Sequence, residues 1–99
     1  MEEAPFSTRL TLEAMELYYS PKFIKSYNKL PQRIKVLAEK KEKIFVKEPF
    51  NRAFKTHKLH GDFAGFWAFS VNRIYRVVFD FLRENSIRFY DIGTHDIYK

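Results

Sequence analysis

The sequence predicts a two-layer α+β domain in which a helical hairpin packs on a small, mainly antiparallel sheet. Three observations carry that expectation. Two helix-period apolar stripes stand in series between Ser20 and Pro49, separated by Pro31. Three strand-period runs then follow one another between Phe66 and Ile92. Finally, 99 residues give room for one domain and one core. Eleven Phe, six Tyr and one Trp supply the large buried area that a chain of this size needs to offset its conformational entropy.

Residues 1–14 show no amphipathic period of useful length and are set apart as an N-terminal extension, so the domain proper is expected over 15–99. An ordinary helix around Thr8 to Ala14 is the alternative. Met15-Glu16-Leu17-Tyr18-Tyr19 alternates and reads as a first strand. Ser20-Pro21 then starts a helix, because serine caps a free amide and proline at the first helical position forfeits no hydrogen bond. Phe23, Tyr27 and Leu30 form its apolar stripe, and Pro31 breaks it. The second helix places Ile34, Leu37, Ala38, Ile44 and Phe45 on one side. Arg33, Lys35, Lys40, Lys43 and Lys47 fall mostly outside that stripe as a solvated face. It should end near Glu48-Pro49, since a residue before proline resists helical geometry.

Phe66 to Val71 reads as a strand, Asn72-Arg73 as a turn and Tyr75 to Phe81 as the antiparallel partner. Glu84-Asn85 turns again. Ser86 to Ile92 forms a further strand with Ile87, Phe89 and Asp91 opposing Arg88, Tyr90 and Ile92, and Gly93 ends it. Gly61 and Gly65 are too isolated to cradle a phosphate and are read as turn formers. Helices over one sheet face leave the other free for function.

The formal charge of +6, from eighteen Lys and Arg against twelve Asp and Glu, favours a polyanionic or acidic partner; a solvated lysine surface is the plainer reading. With no Cys there is neither a disulfide framework nor a thiolate nucleophile. No run of eighteen apolar residues exists, and Met1-Glu2-Glu3 is acidic where a signal peptide is basic, so a cytoplasmic protein without a membrane partner is expected.

All three histidines fall in the second half, at the edges of strand-like runs: His57 and His60 in Thr56-His57-Lys58-Leu59-His60-Gly61, and His95 in Gly93-Thr94-His95-Asp96. A zinc site would need a third ligand from Asp62, Asp91, Asp96 or His95, and nothing fixes that spacing; no metal and no cofactor is expected. Acid-base chemistry needs less. Two imidazoles from different loops can serve opposite ends of a phosphodiester near neutral pH, while Arg73 and Arg76 hold the phosphate and stabilise charge on its oxygens. Taken one at a time, each histidine also reads as an exposed loop residue. Tyr75 and Trp67 are read as packing residues, whereas Tyr90 and Tyr98 could stack on an unpaired base. Lys58 and Arg88 join Tyr90 as RNA contacts.

Together, Tyr19-Ser20-Pro21-Lys22-Phe23, the Thr56 to Gly61 segment, Gly65-Phe66-Trp67, Tyr75-Arg76 and the Asp91 to Asp96 ending resemble the RelE/ParE superfamily of bacterial type II toxins over residues 15–99. The resemblance implies a RelE-like fold and a cognate antitoxin as partner, with higher-order toxin–antitoxin complexes. For the RelE-like branch it implies a metal-independent endoribonuclease that cuts mRNA on the ribosome. There the 2'-hydroxyl attacks the adjacent phosphate, giving a cyclic phosphate and a free 5'-hydroxyl. ParE-like members instead poison DNA gyrase, and an inactive toxin-like partner of an antitoxin is a further alternative. By position, His57 and His95 match active-site histidines of the histidine-using branch, and Arg76 matches the strand arginine after tyrosine. Tyr98 lies near the C-terminal aromatic. Ser70 and Ile74 depart from relatives that carry histidine and aspartate there, which leaves the general base open. The implied scheme has His57, helped by His60, as base, Lys58, Arg73 and Arg76 on the phosphorane, His95 as acid and Tyr98 or Tyr90 positioning a base; the acid and base roles are interchangeable at this level.

Overall fold

The computed structural model describes residues 15–98; the proposed N-terminal extension lies outside them. Strand β1 (Glu16–Tyr19) leads into helices α1 (Pro21–Asn28) and α2 (Gln32–Phe45). A 3-10 turn at Arg52–Phe54, a two-residue strand β2 (His57–Lys58) and a second 3-10 turn at Gly61–Phe63 follow. The chain then forms a meander of β3 (Trp67–Ser70), β4 (Tyr75–Arg83) and β5 (Ser86–Thr94), and closes with a third 3-10 turn, His95–Tyr98. The five strands lie in the order β1-β5-β4-β3-β2, with β1 parallel to β5 and every other pair antiparallel. This is the expected two-layer α+β architecture, helices on one face of a mostly antiparallel sheet.

Ser20 begins α1 as its sequence implies, and it does more than cap. Its Oγ accepts from the Phe23 amide at 2.9 Å while its hydroxyl donates to the Tyr90 carbonyl at 2.6 Å, so the helix start is tied to the interior strand β5. Under α1 and α2 the core is mostly phenylalanine. Phe45, fully buried, stacks on Phe69 with ring centroids 3.9 Å apart and meets Phe54, Phe79 and Phe89 edge-on or tilted at 5.0 to 5.8 Å.

The structure corrects several expectations. Helix α2 ends at Phe45, before Glu48, and Ile44 points to solvent with Val36, because Phe45 takes the inward position and its immediate neighbour on a helix cannot share it. Leu30 packs on the core from beyond the end of α1. Gly93 does not end β5 but pairs with Arg76 inside it, and the strand runs on to Thr94. Alternation along β5 also fails at one place. Val78 pairs with Asp91 but Phe79 pairs with Phe89, so Tyr90 is an extra residue, a β-bulge. Beyond it Ile92 joins Ile87 and Phe89 in the helix-side core, and Asp91 turns to α1. Its Oδ1 accepts from Ser26 Oγ at 2.6 Å and from the Ile92 amide at 2.8 Å. Strand β2 was not expected as a strand at all. Gly61 and Gly65 do form turns, with φ of 65° and 96°.

Candidate functional site

Strand pairing lays the open face of the sheet out in rows. One row carries Ser70, Arg76 and Gly93; the next carries His57, Ala68, Val78 and the Tyr90–Asp91 bulge; a third carries Asp80, Arg88 and Tyr18. Rows are two residues, about 7 Å, apart along the strands. Ala68 and Val78 are small, so rings can lie over them. The rings of Phe63, Phe66, Tyr90 and Tyr98, together with Ile97, pack on them and on Leu59, making a shallow apolar floor.

His57 stands at the edge of that floor. Thr56 Oγ1 donates to the Pro49 carbonyl, and Lys55 turns the chain in a left-handed conformation, φ 53°. The His57 Nδ1 lies 2.9 Å from the Lys55 carbonyl. A carbonyl only accepts, so Nδ1 carries the proton and the neutral ring keeps its lone pair on Nε2. The Tyr98 ring meets the His57 ring edge-on at 6.4 Å. Tyr98 arrives there because the third 3-10 turn folds back over β5, with Ile97 laid on Gly93; a methyl group at Gly93 would come within 2.6 Å of Ile97 Cγ2. His95 opens that same turn, exposed, with Nε2 4.0 Å from Asp96 Oδ1.

Arg76 lies one row from His57 and is half-buried. Its Nη1 donates to the carbonyls of Asn72 at 3.0 Å, Arg73 at 3.2 Å and Tyr75 at 3.4 Å. Asn72 in turn accepts the Ile74 and Tyr75 amides at 2.9 and 2.7 Å. The β3–β4 turn thus holds one end of the guanidinium, and these bonds engage Nη1 only. Arg73 is exposed in the turn.

Other expected site residues are held apart from this group. Lys58 pairs with Trp67 and lies over its ring at 5.6 Å, on the opposite face from His57. Arg88 is clamped by Asp80 through Nε at 3.1 Å and Nη2 at 2.8 Å. Tyr90 is half-buried, with the Phe66 ring 4.9 Å away and Lys22 Nζ 5.3 Å from its centroid, so its ring already has neighbours. His60 is exposed and its side chain caps nothing in the following turn. Among the described residues no three His, Asp or Glu converge to hold a metal ion.

Sequence reasoning missed Lys22, Ser26 and Ile97. Lys22 Nζ lies 3.8 Å from the buried Asp91 carboxylate, which places a cation at the β5 edge beyond the end of β1. Its signal was the Ser20-Pro21 cap, which sends the next side chain outward at the start of α1.

No family model matches the chain, and no curated protein matches it. Solved structures do. YafQ from E. coli superposes with a TM-score of 0.70 at 20% identity, covering 84% of this chain and 96% of that one. A YoeB/ParE toxin from Agrobacterium tumefaciens gives 0.69 at 19%, covering 82% and 99%. The toxin–antitoxin complex RelBE2 from Mycobacterium tuberculosis gives 0.71 at 17%, covering 83% and 99%. The chain adopts the fold of the RelE/ParE superfamily of toxins.

Proposed function

We propose that this chain is the toxin of a toxin–antitoxin pair and acts as a metal-independent endoribonuclease on mRNA presented by the ribosome. The observation that carries the reading is the meeting of His57 and Tyr98 on the open face, one row from a guanidinium already positioned by its own turn. Support from the fold comes through relatives described as toxins, one of them solved as a toxin–antitoxin complex.

In this scheme His57 Nε2 takes the proton of a ribose 2'-hydroxyl, because Nδ1 is committed to the Lys55 carbonyl. The 2'-oxygen bonds to phosphorus, the bond to the 5'-oxygen breaks, and His95 returns a proton to that leaving oxygen. Arg76 meets the charge that builds on the phosphoryl oxygens, with Arg73 beside it. Tyr98 orients the His57 ring and the neighbouring base. A cognate antitoxin would bind the same chain and silence it.

The test is induced expression in bacteria followed by mapping of mRNA 5' ends, with His57→Ala and His95→Ala alongside. Cuts inside translated regions, lost in both variants, are expected. Growth arrest with intact transcripts and accumulating DNA breaks would replace this reading by gyrase inhibition, and the absence of arrest would point to an inactive toxin-like partner.

A further inference from the structure

The face of β2 opposite His57 carries an aromatic group that the chemistry above leaves unused. Phe50 is 59% exposed, whereas the other described phenylalanines are buried in or packed against the core clusters. It meets Trp67 edge-on at 5.4 Å and stacks on Phe81 at 6.2 Å, with an interplanar angle of 18°. The half-buried Trp67 is backed by Phe81 at 5.6 Å and overlaid by Lys58 Nζ at 5.6 Å. Phe50 is therefore held upright by two rings while much of its own surface faces water.

Charge identifies the occupant. From Lys47 to Lys58 the chain carries Lys47, Arg52, Lys55 and Lys58, all exposed, against Glu48 alone, whose carboxylate is engaged by Asn51 Nδ2 at 2.8 Å. An exposed ring on a segment rich in exposed cations suits unpaired nucleotides, which offer π-faces and phosphates together. Position agrees with charge. His57 and Lys58 are neighbours on an edge strand and project to opposite faces, so a nucleic-acid strand crossing that edge meets the candidate catalytic group on one side and the aromatic group on the other.

Building on the nuclease reading, we propose that Phe50 and Trp67, with Lys58, form a subsite that stacks an unpaired base of single-stranded RNA beside the edge strand carrying His57. The subsite sets affinity and register and takes no part in proton transfer. Phosphates of the same strand lie against Lys55 and Arg52.

The chain's single tryptophan reports on the subsite directly. The probe is a short single-stranded oligonucleotide with 2'-O-methyl riboses, which cannot be cut, beside an abasic oligomer with the same number of phosphates. Binding is followed by anisotropy and stacking by Trp67 emission. Saturable quenching by the base-bearing oligomer but not the abasic one is expected. Phe50→Ala and the bulk-preserving Phe50→Leu should each weaken the base-bearing oligomer about five-fold or more while changing abasic binding little. The proposal falls if the oligomer does not bind, if it binds without altering Trp67 emission, or if both variants bind as tightly as the parent. It falls equally if emission changes with protein concentration alone, which would mean that a second copy covers the patch. Because the probe is uncleavable, these outcomes leave the nuclease reading to be judged separately by the mapped 5' ends.

Discussion

The two faces of the sheet are built for different purposes. The helix-covered face holds a dense set of rings around Phe45, Phe69, Phe79 and Phe89, each at most 2% exposed. The open face buries the small hydrophobic cluster of Leu59, Ala68 and Val78 and presents His57, Arg76, Arg88 and the loosely covered rings of Phe66, Tyr90 and Tyr98. Burial scales with area removed from water, so most stabilisation comes from the first face. The second is thereby free to carry polar groups whose partners are incomplete, which is what acid-base chemistry requires. Damage to the two faces should therefore separate, activity from stability.

The sharpest separation is expected at His57. His57→Ala should lower the rate of mRNA cleavage by about 100-fold to 10,000-fold, the usual yield of a general acid-base group. Because the side chain is exposed, unfolding free energy should stay within about 0.5 kcal/mol of the parent. His60→Ala, close by in the chain but with a side chain that caps nothing in the following turn, should leave both measurements unchanged. Equal losses in the two variants would show that the loop, not the imidazole, matters.

The converse variant is Phe45→Ala. Removing a fully buried ring that contacts four others should cost about 3–5 kcal/mol in denaturant unfolding. That is a large part of the roughly 5–15 kcal/mol that holds a domain folded. A cost under about 1 kcal/mol would mean that the helix-covered face is not where stability resides.

How far these faces could be read from sequence depends on the range of the interactions. Ser20-Pro21, Pro31 and the Glu84-Asn85 turn act locally, and the helices and the β3–β5 meander follow from them. The parallel pairing that puts β5 between β1 and β4 depends on residues distant in the chain, such as Tyr18 with Arg88. A two-residue strand such as β2 is too short to have a period. The bulge at Tyr90 cancels the alternation that would have revealed which side Asp91 and Ile92 take. For the candidate site, the sequence offers residue types but not how the fold groups them. His57, Arg76 and Tyr98 lie at one corner of the open face and His95 opens the turn that carries Tyr98, while Lys58 faces the other side because it follows His57 on an edge strand. Arg88, expected as an RNA contact, is instead clamped by the facing Asp80, a pairing its strand neighbours in sequence do not reveal.

Gly93 lies on the open face under the closing 3-10 turn, and a methyl group there should sharpen the comparison. In Gly93→Ala the new Cβ would sit 2.6 Å from Ile97 Cγ2, so Ile97 must give way, and the expectation is that the third 3-10 turn shifts with it, carrying Tyr98 and His95. Overpacking of this kind costs about 1–3 kcal/mol. Ile97→Ala should relieve it, so the double variant should be less destabilised than the sum of the singles. Cleavage should fall in Gly93→Ala even at temperatures where the variant is fully folded. Additive stabilities with undiminished cleavage would show that the turn does not position the site.

The smallest effect lies above the helix-covered face, where Tyr19 donates to Glu42 at 2.6 Å and Tyr27 donates to Glu39. Burial first and then these carboxylates push both hydroxyls upward, Tyr27 from 10.0 to about 12 and Tyr19 further. An acid whose folded pKa lies above its unfolded value keeps its proton longer in the native state. The contribution of Tyr27 is thus complete below pH 10 and is lost as pH rises through about 12. Tyr27→Phe should flatten the decline of stability across that window relative to the parent. It should also remove one late-titrating group from the alkaline absorbance titration of the six tyrosines. Cleavage measured near neutral pH should be untouched, since the pair sits across the sheet from His57. A loss of activity in Tyr27→Phe at neutral pH, with the fold intact, would couple the two faces through α1, whose Ser26 holds Asp91 at the bulge beneath the site.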